Sequence, residues 1–500
     1  MTIEAVPICR KGLVPLLALV LALGACDTDT SGDVSPSPFS PWREEGGEGA
    51  PGSFALSPNA EAGALSPGVR SGKTYELVEL IDLAQRTNPL TQLAWENARQ
   101  AAFARGIAEG TFLPFISANI IAGRQDIVTP VRTLGGGTDT LTTTAEGATP
   151  ALALQWLLFD FGERAALRDV AAANLDAANI AFNGTHQALI FDVTRAYYAH
   201  GGAVGDVRIA EQALANSRAI EEAARARLQA GTGTSIEVAQ AEQLVAQARL
   251  RLVLAQDLRR DAYHDVVESV GISPTSRIRI ATSESRRLPS AGAVLTDDLI
   301  KTALARRPDV LASFAGVEAA RAGERAADAA FLPKIYTTAI AGANNTTFQT
   351  GNLPGVGAQQ TASGILLGIS IPVYDGAIRA NRRRQAESAT EAAISVLDQT
   401  RNAAAREIVV ASDTLRSSLE AFEASTALVS ASRTTYDATL EGYRNGLVPI
   451  TDVMAAENGL LLARQARTDA HAASLIAASA LAFSLGDMTS RDSPAAALRR

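Results

Sequence analysis

The sequence predicts a mainly α-helical chain, internally duplicated into long helical hairpins, that contributes four strands to a small membrane β-barrel. Three observations carry that prediction. One register of residues repeats along the chain, two very long stretches lack proline, and two short segments alternate between large apolar and small or polar residues.

The repeat is the firmest of the three. Leu80-Ile81 recurs as Leu299-Ile300, Pro89 as Pro308, and Phe112-Leu113-Pro114 as Phe331-Leu332-Pro333, each time 219 positions on. Farther along, Phe159-Asp160 matches Tyr374-Asp375, Gly231 matches Gly446, Glu242 matches Glu457 and Ala248-Arg249 matches Ala463-Arg464, now 215 positions on. A constant register with one four-residue shift marks a duplication, and the shift falls between Pro114 and Phe159, where a loop belongs.

Each copy reads in the same order. A helix spans roughly Tyr75 to Gly110 and Thr296 to Ala330, and a Phe-Leu-Pro breaker ends it, because proline cannot continue a helix. A strand pair follows around a loop, Gly135-Gly136-Gly137 in one copy and Asn344-Asn345 to Gly357 in the other. Helix then resumes for a long stretch, with no proline between Pro150 and Pro274 or between Pro372 and Pro449. At 1.5 Å per residue the run from Asp160 to Gly231 is on the order of 100 Å long, with Gly201-Gly202 as its expected weak point.

Composition agrees and excludes other classes. The 500 residues include 47% apolar side chains, many of them alanine, and only 5% aromatic, which suits long, closely packed helices better than a thick globular core. Lys and Arg total 45 against 53 Asp and Glu, a net charge of −8, so no basic footprint for nucleic acid is present. The only cysteines, Cys9 and Cys26, lie at the N-terminus, and the four histidines are scattered. No disulfide framework, metal site or cofactor is therefore expected in the body of the chain, and none of the common nucleophile or phosphate-loop motifs of enzymes occurs.

The N-terminus reads as an address. Arg10-Lys11 precedes an apolar run from Gly12 to Ala25, and residues 1–25 form a secretion signal too short for a comfortable membrane span. Leu23-Gly24-Ala25-Cys26 resembles the lipobox of bacterial lipoproteins, which implies lipidation at Cys26; an ordinary signal with an incidental cysteine is the other reading. Asp27 bears on sorting, since in some bacteria an aspartate there retains lipoproteins at the inner membrane. Residues 26–73, rich in Pro, Gly, Ser and Glu, are expected to be a flexible lipidated tether. The first repeat then covers 74–275, a linker 276–295, the second repeat 296–487 and a C-terminal tail 488–500.

Leu152, Leu154, Trp156 and Leu158 share one face of a strand; Ile365, Leu367, Ile369, Ile371 and Val373 share one face of another. Each is about the ten residues needed to cross a bilayer as a tilted strand, although a soluble sheet packed on one face alternates in the same way. The partner strands, Phe115 to Val128 and Ile335 to Ala343, alternate less cleanly. Four strands cannot close a barrel and open edges are excluded from lipid, so membrane strands here require several chains to pool them.

The helix from Ser235 to Val270 carries a heptad seam through Val238, Ala241, Val245, Ala248, Leu252, Ala255, Ala262 and Val266. A second apolar strip, Leu244, Leu250, Leu254 and Leu258, allows neighbours on both sides, as in a helical barrel; a simple coiled-coil hairpin has similar local sequence.

On these motifs the chain resembles the TolC-like outer membrane factor (outer membrane efflux protein) family, of lipoprotein type, from about Thr74 to Asp487. The resemblance rests on Phe-Leu-Pro before each strand pair, the aromatic-Asp strand exits, and the paired segments Leu228–Val238 and Tyr443–Val453. It implies a homotrimer whose strands close one roughly twelve-stranded outer-membrane barrel and whose helices form a periplasmic tunnel. The implied function is a passive export duct working with a periplasmic adaptor protein and an inner-membrane pump, without catalysis.

The resemblance also places the tip of the tunnel and its adaptor contact at Gly231, Thr232 and Gly233 and at Gly446, Leu447 and Val448. Turn chemistry agrees: Gly231 and Gly446 are natural left-handed helix terminators, and Ser235 and Thr451 are placed to cap the next helices. Glu237 and Asp452 lie near those helix starts, where the dipole favours carboxylates; they read either as helix stabilisers or as rings gating the tunnel mouth. Tyr443 matches a gate tyrosine of the family. The family's basic partner near the second turn is replaced by Val448, and a second family aspartate by Ala455, so this gate departs from the family pattern. A periplasmic adaptor or a structural coiled-coil lipoprotein are the rival readings; the first would carry one hairpin, the second no strand pairs.

Overall fold

A computed structural model describes residues 69–70, 72–132, 135–282, 286–289, 296–351 and 353–488. The chain divides into Met1–Ala64 and Leu65–Arg500, and all described residues belong to the second unit. The signal sequence, Cys26, most of the tether and all but the first residue of the C-terminal tail lie outside the described residues.

The duplication appears as a repeated order of elements. The first copy runs β1 (Thr74–Tyr75), α1 (Leu77–Thr87), α2 (Pro89–Gly110), β2 (Phe115–Arg132), β3 (Thr138–Phe159), α3 (Glu163–Gln229) and α4 (Ser235–Val270). After β4 (Arg279–Ile280) the second runs α5 (Asp297–Leu304), α6 (Pro308–Ala329), β5 (Lys334–Thr350), β6 (Val356–Ser370), α7 (Ile378–Arg444) and α8 (Ile450–Ser484). Both α3 and α7 are 67 residues long, which gives each about 100 Å. Among the described residues, no helix is long and apolar enough to cross a membrane.

Several boundaries differ from expectation. The single helix expected before each breaker is two, split at Asn88-Pro89 and at Arg307-Pro308. A residue preceding proline is pushed out of the helical region, and Asn88 (ψ 126°) and Arg307 (ψ 127°) are both extended. Each then ties its helix start to the end of a distant one: Asn88 Nδ2 donates to the Ser269 carbonyl (3.0 Å), and Arg307 Nη1 to the Ser484 carbonyl (3.0 Å). Those carbonyl positions are 215 residues apart, so the duplication extends to its tethers. At Gly201-Gly202 α3 continues without interruption; a Cβ on Gly202 would lie 3.3 Å from that of Ala472, so the glycine there admits α8.

The four long strands β2, β3, β5 and β6, 15 to 22 residues each, exceed the ten or so expected, and Asn344-Asn345 lie within β5 rather than in a loop. Ile371 and Val373, expected on the last strand, follow its end at Ser370. All four pair antiparallel in the order β2-β3-β5-β6, so β3 and β5 join the two copies while β2 and β6 remain open edges. The register brings Ile116, Leu154, Ala339 and Ile365 into one row across the sheet, with Trp156, Thr337 and Leu367 in a row on the same face. The intervening rows, such as Ser117, Ala153, Ile340 and Gly364, face the other way and mix small and polar residues with single large apolar ones. The row Arg124, Glu146, Thr347 and Gly357 ends the apolar band. From Trp156 to Ala148 the band runs roughly 26 Å along the strand, close to an outer-membrane span; the rest of each hairpin projects beyond it.

Two of the five buried hydrophobic clusters among the described residues are much the largest. The larger joins Leu80 and Ala84 of α1, Ile190, Val193 and Tyr198 of α3, Val266 and Val270 of α4, and Leu475 of α8. The second lies near the far end of the hairpins, where Ile220 and Ala224 of α3, Leu244 of α4, Tyr443 of α7 and Val453 and Leu460 of α8 meet.

Candidate functional site: the hairpin tip

Both hairpins turn by the same device. Gly231 (φ 72°) and Gly446 (φ 78°) sit in the left-handed region immediately after the C-caps of α3 and α7. Thr232 N–H donates to the Arg227 carbonyl (2.9 Å) and Gly231 N–H to that of Leu228 (3.0 Å). Leu447 N–H donates to Gly442 (2.8 Å) and Gly446 N–H to Tyr443 (2.9 Å) in the second copy, so both are Schellman turns. The predicted caps shift by a residue or two. Thr234, not Ser235, accepts from Glu237 N–H (3.2 Å) and caps α4, while Pro449 occupies the N-cap of α8 and Thr451 lies inside the helix. Proline there pre-sets the extended entry and supplies no hydroxyl.

The two turns are joined by one cluster. Tyr443 is fully buried, and its hydroxyl donates to Glu237 Oε2 at 2.9 Å. Arg227 stacks its guanidinium 4.7 Å from the Tyr443 ring centroid, and its Nη1 donates to the Tyr443 carbonyl at 2.6 Å. Its Nη2 donates to the Thr232 carbonyl at 3.1 Å. Arg227 thus links both Schellman turns, and a Cβ on Gly446 would lie 3.9 Å from its Nη atoms. Burial, reinforced by the Glu237 carboxylate, pushes the Tyr443 phenol up to about 12, so it is a hydrogen-bond donor throughout the physiological range.

The structure therefore brings Glu237 and Tyr443 together and leaves Asp452 apart. Asp452 is exposed in the first turn of α8, with the Thr451 hydroxyl 3.4 Å away. Gly231, Thr232 and Leu447 are open to solvent, whereas Gly233 is partly buried against Arg227 and Val448 is partly buried and packs against Gly442. Arg227 is the residue that sequence reasoning missed. The cation sought near the second turn comes from the first hairpin, and only the three-dimensional approach of α3 to α7 reveals it.

A second duplicated cluster sits where the strands become helices. Asp160 Oδ2 accepts from Arg164 Nε (2.8 Å), and Arg164 packs on the Phe112 ring (4.7 Å) while donating to the Thr111 carbonyl (2.9 Å). Asp375 Oδ2 accepts likewise from Arg379 Nε (2.8 Å), which lies over Phe331 (5.5 Å). The Phe-Leu-Pro and aromatic-Asp motifs are thus halves of one clamp, closed by an arginine four residues past the aspartate.

Comparison with known proteins agrees with this architecture. The outer membrane efflux protein family model matches twice, over residues 80–271 and 299–487. The pyoverdine export outer membrane protein OpmQ of Pseudomonas putida is 28% identical over 343 residues, covering 67% of this chain and 68% of that protein. Protein CyaE of Bordetella pertussis is 26% identical over 393 residues, covering 78% and 79%. The Campylobacter jejuni CmeC outer membrane channel superposes with a TM-score of 0.68 at 15% identity, over 89% of this chain and 96% of that one, a likeness of fold. With both repeats matched across most of the described residues, the chain belongs to the outer membrane efflux protein family, the outer-membrane channel components of tripartite efflux systems.

Proposed function

We propose that three copies assemble into one continuous passive duct. The open-edged sheet carries this reading. Its four strands leave both edges unpaired and expose Ile120 (76%), Ile365 (80%) and Leu367 (71%), which neither water nor lipid tolerates in a lone chain. Pairing β6 of one copy with β2 of the next repeats the contact that β3 makes with β5, and three copies yield about twelve strands.

The helices support the same closure. Within the chain α6 packs against both α3 and α7, whereas its counterpart α2 packs against α3 alone and leaves Leu93, Phe103 and Ile107 exposed. Likewise α8 packs on α3, while its counterpart α4 exposes the strip Leu250, Val253, Leu254 and Leu258. Contact of α2 and α4 with α7 of an adjacent copy satisfies both and gives six quasi-equivalent repeats around an axis.

In this reading the tip turns, with Gly231, Thr232, Gly233, Gly446, Leu447 and Val448, meet a periplasmic adaptor protein that connects the duct to an inner-membrane pump. Glu237 and Tyr443, with Arg227, hold the mouth narrow, and Asp452 lies beside it. Lipidation at Cys26 adds an anchor in the outer membrane, where the family resides. The duct binds no cofactor and performs no catalysis; its partners drive transport. Membrane fractionation followed by gel electrophoresis with and without heating tests this directly. The expected result is an outer-membrane band at trimer mass that collapses to monomer on boiling, and a monomer in the soluble fraction would refute it.

A further inference from the structure

The sheet reverses its polarity past the lipid band. Within the band, the face opposite the apolar rows has the composition of a wetted wall. Asn119 pairs with Ala151 there, the Thr149 hydroxyl donates to Asn344 Oδ1 (3.3 Å), and Gly147 pairs with Gly123 and Thr346. Beyond the row Arg124, Glu146, Thr347 and Gly357 the two faces exchange character. The outward face becomes polar: Asp126 accepts from the Thr144 hydroxyl (2.6 Å), and Thr142, Thr140 and Arg132 follow toward the turn. The inward face becomes apolar. Its next row is Gln125, Ala145, Phe348 and Val356, then Ile127 beside Thr143, Leu141 opposite Thr129, and Val131 opposite Asp139.

Phe348, Val356, Ile127, Leu141 and Val131 are all exposed in the single chain. Lipid cannot cover them, because they point inward and lie past the level where the outward face becomes charged. Water is a poor solvent for such a face, so protein is the cover that suits it. The geometry allows the hairpins to supply it. Twelve strands about 4.8 Å apart, tilted by about 40°, enclose a barrel of radius roughly 12 Å. From Glu146 to Thr138, β3 rises roughly 26 Å past the band, which is long compared with that radius.

We propose that the distal hairpins of three copies turn these inward faces on one another and form an apolar collar at the outer mouth of the duct, a constriction separate from the hairpin tip. The inference rests on the trimeric duct, and the surface that covers each apolar face is the same face of the other two copies. Val356 lies on β6 and Ile127 on β2, the two edges that meet between copies, so the apolar lining runs unbroken around the ring. An apolar constriction gates by dewetting. It resists hydrated ions and polar solutes and yields to cargo that presents apolar surface.

The sequence has no cysteine beyond Cys26, so one introduced thiol reports access to the lumen. Ala362→Cys places it on the inward face below the collar, in the row of Asn119, Ala151 and Gly342. Intact cells are treated with a membrane-impermeant sulfonated maleimide. Labelling is expected to be slow with Phe348 and Val356 in place, and at least tenfold faster with Phe348→Ser and Val356→Ser together. Val128→Ser, at the same height on the outward face, should leave the rate unchanged. Gln349→Cys, also on the outward face, should label rapidly in either background. If the double variant assembles poorly, Ile127→Ser alone should still raise the rate severalfold. Equal rates with and without the collar side chains, in protein that runs as a heat-modifiable trimer, would overturn the collar and leave the duct standing. Absence of the trimer band from the wild type would overturn the duct, and the collar with it.

Discussion

Tyr443 shows how much the tip depends on single side chains. Its hydroxyl is the donor that ties α7 to Glu237 of α4, and a hydrogen bond to a charged group contributes about 1.5–3 kcal/mol. Tyr443→Phe keeps the ring under Arg227 and removes only that bond. Planar-bilayer recordings of the variant should show more frequent or wider openings with the assembly intact; conductance equal to wild type would remove Tyr443 from the gate. Because the folded phenol titrates near 12, above its ordinary value of 10.0, its contribution is complete below pH 10 and is lost as pH rises through 12. The tyrosine link therefore does not respond to mild acidification. Asp206 has the same sign of pH dependence in a much lower window. Its Oδ1 is buried without a hydrogen bond, and burial, with Asp469 nearby, raises it from 3.8 to about 6. The folded state holds the proton more tightly than the unfolded one, so this residue makes stability fall as pH rises from about 4 to 6. Thermal melts of Asp206→Asn should be flatter across that window and higher than wild type at pH 7.

The strand-to-helix elbows test an element. Phe161 (φ 55°) with Gly162 (φ 101°), and Gly376 (φ 65°) with Ala377 (φ 69°), are consecutive left-handed residues at matching positions of the two copies. Each elbow needs two such residues and has glycine at only one, so the non-glycine partner is strained by roughly 1–2 kcal/mol. Ala377→Gly should relieve that strain, less the added freedom of the unfolded chain, for a net gain of about 0.5–1 kcal/mol. Denaturant unfolding of the purified protein measures it, and destabilisation would show that the Ala377 methyl packs usefully. The duplicated order, the two turns and the alternating strands were legible because each depends on short-range periodicity or on a glycine or proline with one mechanical role. The split helices were not, because Pro89 and Pro308 fall inside otherwise helical patterns. The predicted seam is buried at Ala241, Ala248, Ala255 and Val266, while of the second strip Leu244 is buried and Leu250, Leu254 and Leu258 are exposed. Arg164, Arg379 and Arg227 escaped notice because an arginine on a helix reads as a solvated charge until its carbonyl and ring partners are located in space.

For the whole molecule, the decisive question is which face of the sheet meets lipid. The alternation in β3 and β6 is equally compatible with a soluble sandwich, and β2 and β5 alternate poorly. The register resolves this, because directly paired residues share a face. Ile116 of β2 then aligns with Leu154 of β3 and Ile365 of β6, Ile120, paired with Pro150, lies on the same face, and the apparently irregular strands complete one apolar surface. Trp156 lies at the helix-proximal margin of that surface with its indole N–H donating to the Phe112 carbonyl at 2.8 Å, as suits a membrane interface. Leu154 and Ala153 are adjacent in β3 and point to opposite faces, so a matched pair of substitutions separates lipid from lumen. Leu154→Arg places a charge in the apolar band at a cost of about 2–4 kcal/mol per chain at the midplane, repeated in every copy of the assembly. It should abolish the heat-modifiable outer-membrane band. Ala153→Arg, facing the interior, should assemble normally and shift the ion selectivity of the reconstituted channel. Assembly of both variants, or failure of Ala153→Arg alone, would reverse the orientation of the sheet, and with it the assignment of the barrel's interior.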